Sequence, residues 1–267
     1  MRSTPHAFVP EPPPGEDDLP WSDGEPVDSE RNGKQQTVLT SSLERAWDAR
    51  DDFYVGGNMF VYYSQLQTKQ NDFRGPDVFV VLDTVRRVRK SWVVWAENGR
   101  MPDVVIELTS PSTEHVDRGE KMRIYAQLLR VSNYYLFDPL TGVLEGYQLD
   151  PVTRRYVPLA PGPGGDLTCP VLGLSLGVRR GLYQGVETDW LRWIDSEGRV
   201  LPSDEEAARE EANQRHDAER RLADEATLRH DAERRLADEA TLRHDIEGRL
   251  AEALAELERL KAPRTGA

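Results

Sequence analysis

The sequence holds a single cysteine, Cys169, in 267 residues. It can therefore form neither an internal disulfide nor a cysteine-ligated zinc site, as fits a reducing compartment. It lacks any run of about 18 apolar residues, the length a membrane-spanning helix needs. The opening MRSTPHAFVPEPPPGEDDLPW has neither the basic start nor the apolar stretch of a secretory signal. These absences predict a soluble, cytoplasmic protein with no membrane partner. Positive charge is in deficit too, with a formal net charge of -13. The deficit sits at the ends: residues 1–34 carry 8 acids against 3 bases, and residues from Ser203 onward carry 18 acids against 12 bases, which leaves -2 for Gln35 to Pro202. The acidity thus neither supports nor excludes a nucleic-acid surface on the middle segment.

What is present suffices for one core with appendages, since 38% of residues are hydrophobic and 30% are charged. Residues 1–34 combine EPPP, LPW and GEPVD with almost no apolar periodicity, and read as a disordered acidic arm. TSSLERAW, capped by Thr40 or Ser41, is a short amphipathic helix candidate. NMFVYYS, PDVFVVLD, SWVVWAE and PDVVIELT are rich in Val, Ile and aromatics and read as strands. Met122, Tyr125, Ala126, Leu128 and Leu129 then recur at helical spacing, predicting a helix from Arg118 to Arg130 with Asp117 as its acidic cap. NYYLFD restores a strand, and LEGYQLD with RRYVPLA forms a hairpin. Residues 35–202 therefore read as one mixed α/β domain.

The tail, residues 203–264, carries a repeat. RHDAERRLADEATL occupies residues 215–228 and again 229–242, and 14 residues are two heptads. The seam Ala218, Leu222, Glu225, Arg229, Ala232, Leu236, Glu239, Arg243, Ile246, Leu250, Ala253, Leu257 and Leu260 predicts a long helix that pairs as a homo-oligomeric coiled coil; a solvated single helix is the alternative. His216, His230 and His244 recur with the repeat, but a spacing of about 21 Å prevents them from sharing an ion.

Within PDVVIELT, a carboxylate at Glu107 interrupts an apolar strand and needs a metal, a cation or donors if buried. Asp103 lies roughly 13 Å away along the strand, too far to share its site. The second acid is expected from a neighbouring strand, and Asp77 heads the apolar run of GPDVFVV. Asp117 and Lys121 also fit an ordinary surface pair four residues apart. Arg86, Arg87, Arg89 and Lys90 are either phosphate contacts or a solvated loop. Trp95, Tyr134 and Tyr135 read as packing residues of the sheet.

GPDVFVV, PDVVIELTSPST, Asp117-x-x-x-Lys121 with Tyr125, NYYLFDP, DFYVGGN, LEGYQL and LGLSL together closely resemble the Uma-two family of restriction endonucleases, within the PD-(D/E)XK nuclease superfamily. The resemblance covers about Asp52 to Glu205. It implies a restriction-endonuclease-like mixed sheet flanked by helices, with the long C-terminal helix or coiled coil as an extension. It also implies a metal-dependent endonuclease acting on nucleic acid, DNA in the first instance, with Asp77, Glu107 and Lys121 catalytic. The superfamily pattern has a lysine two residues after the second acid. Thr109 stands there, and the resemblance places the lysine on the following helix as Lys121. Asp77, Glu107 and the carbonyl of Leu108 would bind the metal, a set of hard oxygen donors suited to Mg²⁺ or Mn²⁺. The rival expectation is a catalytically inactive scaffold that acts through its coiled-coil tail.

Overall fold

The computed structural model describes residues 12–21, 29–65 and 73–261. The chain divides into two compact units, Met1–Ala207 and Ala208–Ala267. Among the described residues no helix is long and apolar enough to cross a membrane.

The first helix spans Glu30–Ala46 and starts where the Ser29 hydroxyl accepts the Asn32 amide. It is twice as long as TSSLERAW suggests, and Thr40 and Ser41, expected as caps, lie in its interior. Its buried face holds Asn32, Gln35, Gln36 and Ser42 beside Val38, Leu39 and Leu43, so hydrophobic periodicity understates it. Gln35 exchanges two hydrogen bonds of 2.9 Å with the Leu191 backbone, and Ser42 bonds back to the Val38 carbonyl. Residues 29–34 therefore belong to the domain and not to the arm. Residues 12–21 also have partners: Leu19 is buried with Phe60, Tyr62 and Val93, and Trp95 donates to the Pro14 carbonyl at 2.8 Å. The rest of the expected arm, residues 1–11 and 22–28, lies outside the described residues.

The central sheet has six strands in the order β1 (Phe53–Gly57), β4 (Val78–Leu82), β6 (Val104–Leu108), β7 (Asn133–Phe137), β8 (Leu144–Asp150) and β9 (Arg155–Pro158). All neighbours are antiparallel except β6 and β7. A parallel pair needs a crossover, and the helical residues 114–129 supply it. NMFVYYS and SWVVWAE shrink to the two-residue strands β2 (Val61–Tyr62) and β5 (Trp92–Val93), which form a small second sheet with β3 (Phe73–Arg74). A third sheet holds β10 (Leu167–Cys169), β11 (Leu174–Tyr183) and β12 (Val186–Ile194). The β11–β12 turn is Gln184-Gly185 with φ of 46° and 76°, a left-handed pair that suits a two-residue hairpin.

Alternation along the strands assigns the two faces of the central sheet. Val78, Val80, Val104 and Ile106 point to the side of Leu39, Leu43 and Trp193. Phe79, Val81 and Val105 point to the side of Ile124, Tyr125 and Leu129. With a period of two, Glu107 shares the face of Val105 and looks at the crossover helix.

The C-terminal helix runs unbroken from Asp204 to Lys261. Ser203 and Glu206 start it as a reciprocal capping pair, since the Ser203 amide donates to Glu206 at 2.8 Å and the Glu206 amide points to the Ser203 hydroxyl at 3.4 Å.

Candidate active site

Asp77 and Glu107 come together because β4 and β6 are antiparallel neighbours. Val78 pairs with Ile106, so the next step of the same register sets Asp77 opposite Glu107. Asp77 immediately precedes β4 and is only partly buried, whereas Glu107 is 1% exposed. Two hydrogen bonds fix the Asp77 carboxylate. The Leu108 amide donates to Oδ2 at 2.7 Å, and Gln36 Nε2 from the first helix donates to Oδ1 at 2.8 Å.

The crossover helix supplies the other side. Its hydrogen bonding alternates between α and the wider π pattern, through Glu114–Val116, Asp117–Lys121, Met122–Ile124 and Tyr125–Leu129. Such π turns occur frequently at functional sites. Arg130, at φ 54°, ends it in the left-handed conformation. Lys121 and Tyr125 stand one turn apart and reach the same carboxylate. Lys121 Nζ lies 3.1 Å from Glu107 Oε2, and the Tyr125 hydroxyl donates to Oε1 at 2.7 Å. Asp117, one turn earlier, sits inside the helix rather than capping it, and its Oδ1 is 2.8 Å from Lys121 Nζ. It is 1% exposed, and the Tyr134 hydroxyl bonds to its backbone carbonyl.

Lys121 thus touches two buried carboxylates, Glu107 and Asp117, and Asp77 stands beside Glu107 on the neighbouring strand. Burial pushes the Glu107 carboxyl up from 4.5 to about 8; Asp77 and Asp117 push the same way, while Lys121 and Tyr125 oppose. Burial also raises Asp77, against the Leu108 amide, Lys121 and Gln36. Burial alone would lower Lys121, but Glu107 and Asp117 outweigh it and hold the ammonium charged well above the usual range. Tyr125 is raised well above its usual value by burial and by Glu107. Burial and the two neighbouring acids thus favour the protonated form of Glu107, and a single ammonium leaves the site short of positive charge.

That deficit bears on a divalent metal. Among the described residues no three His, Cys, Asp or Glu side chains form a ready cage. Mg²⁺ does not require one, because it commonly takes one or two carboxylates and keeps several waters. Asp77 and Glu107 face each other with the Leu108 peptide beside them and too little counter-charge, so the donor set fits such an ion.

Other sequence candidates fall elsewhere. Asp103, at the far end of β6, accepts the Leu82 amide at 2.8 Å and fastens strand ends. The basic run is consumed by acids: Arg89 is buried, makes bonds of 2.6 and 2.9 Å to the Glu97 carboxylate, and lies 4.7 Å from the ring centres of both Tyr54 and Trp92. Arg87 pairs with Glu97 and Glu16, Lys90 with Asp17 and Arg86 with Asp48. Tyr134 and Tyr135 are buried in the sheet, and Trp95 packs on the cluster around Phe60 and Tyr62. Gln36 gave no sequence signal. Asp117 did, as the start of an Asp-x-x-x-Lys-x-x-x-Tyr face, but the same spacing suits an exposed pair.

The model of the Uma2 family, described as "Putative restriction endonuclease", matches residues 14–180. The chain belongs to this family. The Uma2 match contains Asp77, Glu107 and Lys121, and it begins in the segment that carries Pro14 and Leu19. No curated protein matches the chain. A solved structure, titled a putative nuclease belonging to DUF820 from Anabaena variabilis, is 14% identical and covers 60% of this chain and 90% of its own, with a TM-score of 0.42. At that distance nothing about the Uma2 site follows from it.

Proposed function

We propose that this protein is a divalent-metal-dependent endonuclease that hydrolyses phosphodiester bonds, with DNA as its substrate and the cytoplasm as its compartment. The observation that carries the reading is the meeting of two carboxylates from adjacent strands, Asp77 and Glu107, with a lysine from the crossover helix. Asp77, Glu107 and the Leu108 carbonyl would hold Mg²⁺ or Mn²⁺, which when bound supplies polarisation of the phosphate and a lowered pKa for the attacking water.

The side chains divide the remaining work. Asp77 is held in one orientation by the Leu108 amide and Gln36, so it is a preset ligand. Glu107 acts only after giving up the proton that burial favours, and Tyr125 steadies the ionised form. Lys121 is kept charged and aimed at Glu107, where its ammonium can donate to a phosphate oxygen or the attacking water and stabilise charge as it develops. Asp117 positions Lys121 from the opposite side. Choice of DNA follows the family's description as restriction endonucleases.

The test is incubation of the purified protein with supercoiled plasmid, single-stranded DNA and RNA, each with Mg²⁺, Mn²⁺ or chelator. Nicking or linearisation of plasmid that chelator stops, and that Asp77→Asn and Glu107→Gln abolish, is the expected result. Cleavage of RNA alone would overturn the DNA assignment. Tight metal binding without cleavage of any substrate would favour the scaffold reading.

A further inference from the structure

The C-terminal helix presents an unpartnered apolar stripe along its own length. Leu222, Leu236, Ile246 and Leu250 are all more than half exposed, and so are Leu228 and Leu242, which lie off the heptad seam. The stripe is interrupted at Glu225, Arg229, Glu239 and Arg243. Among the described residues, Arg229 pairs with Glu233 at 3.1 Å and Arg243 with Glu247 at 3.7 Å, and both arginines are about four-fifths exposed.

The order of these charges discriminates between ways of covering the stripe. In a parallel, in-register pair every seam residue faces its own copy. Arg229, Arg243, Glu225 and Glu239 would then make four like-charged layers, and like-charge contact at an interface is strongly unfavourable. With the second helix reversed and the two-fold axis beside Arg234, Arg229 faces Glu239 of the second copy and Arg243 faces its Glu225. In the same register Leu222 meets Ile246, Ala218 meets Leu250 and Ala232 meets Leu236. Every seam layer from Ala218 to Leu250 is then apolar or oppositely charged. The register also brings Leu228 against Leu242 of the second copy, which accounts for two exposed leucines outside the seam. Arg221 and Arg249, Glu219 and Glu247, and at the axis Arg235 and Glu233 with their own copies fall near their own kind at the rim, where exposure and salt weaken the repulsion.

We infer that the C-terminal helix pairs with that of a second copy of this chain in antiparallel orientation, in the register that sets Arg229 against Glu239 and Arg243 against Glu225. The pairing closes on itself by two-fold symmetry, so it gives a dimer rather than a filament. It stands independently of the nuclease reading, because no residue of the site takes part.

The test uses the full chain. Sedimentation equilibrium should show a dimer. Glu239→Arg sets two arginines opposite each other at both symmetry-related layers and should weaken dimerisation by at least about tenfold, and adding Arg229→Glu should restore it. A spin label at Gly248→Cys should report a distance of about 40 Å between copies, from 28 residues of axial offset at about 1.5 Å each. Cys169 is buried and stays unlabelled. A monomer, a higher oligomer, a Glu239→Arg protein that dimerises like wild type, or a label distance near about 15 Å would each overturn the antiparallel register.

Discussion

Replacing Glu107 by glutamine should stabilise the metal-free protein while abolishing its proposed chemistry. The Glu107 carboxyl is raised from 4.5 to about 8, mainly by burial, with Asp77 and Asp117 adding to the effect. A carboxyl whose folded-state pKa is raised binds its proton more tightly in the native state than in the unfolded chain. Its contribution is therefore fully present below the unfolded value and is lost as pH rises through the folded value. At about 1.36 kcal/mol for each pH unit, wild type should lose roughly 3 kcal/mol from this group on going from pH 4.5 to about pH 7, and roughly 5 kcal/mol by about pH 8, after which the loss levels off. Glutamine keeps the shape and an acceptor for Tyr125 but does not titrate. Urea unfolding of both proteins in EDTA, at steps between about pH 5 and pH 9, measures the difference directly. The expected result is a gap in stability that widens in favour of the variant across that window and narrows when Mn²⁺ is added to wild type. Curves that run parallel to within about 1 kcal/mol would show that Glu107 is not a strained buried acid, and the account of the site's charge deficit would fail.

Three further outcomes follow from the same geometry. Saturating Mn²⁺ at about a hundred times its dissociation constant should stabilise wild type by about 2.7 kcal/mol, read as a rise in Tm, and Asp77→Asn should lose most of that rise; an equal rise in both proteins would remove Asp77 from the metal site. Lys121→Met should lower plasmid cleavage about a hundredfold or more and cost about 3 kcal/mol of stability near pH 8, because Glu107 and Asp117 lose their shared cation; wild-type cleavage by this variant would exclude the lysine from the chemistry. Arg89→Met should cost about 3 kcal/mol in urea unfolding, since it removes the buried partner of Glu97 and leaves it only the more exposed Arg87, yet leave DNA affinity of the folded protein unchanged; a weakened affinity would return the basic run to the substrate surface.

The sequence alone determined the parts whose signal is local. Val78–Leu82 is a continuous apolar run and Val104–Leu108 is apolar except for Glu107, a pattern that suits strands buried on both faces, and that acid demands a partner wherever its strand lies. The 14-residue repeat likewise dictates a long helix, because its period is written in consecutive residues. Tertiary structure decided what proximity alone can decide. Asp117 and Lys121 have the spacing of a surface pair, and only packing of their helix against β6 buries them beside Glu107. The first helix hides from a hydrophobic pattern because its core-facing glutamines find partners at Asp77 and Leu191, 41 and 156 residues away. The cluster from Arg86 to Lys90 looks like a phosphate-binding patch until Glu16 and Asp17, 71 and 73 residues distant, and the nearer Glu97 and Asp48 are folded against it. A polar side chain's role is set by whichever opposite charge or donor the fold brings within about 3 Å, and that distance is not encoded in any short stretch of chain.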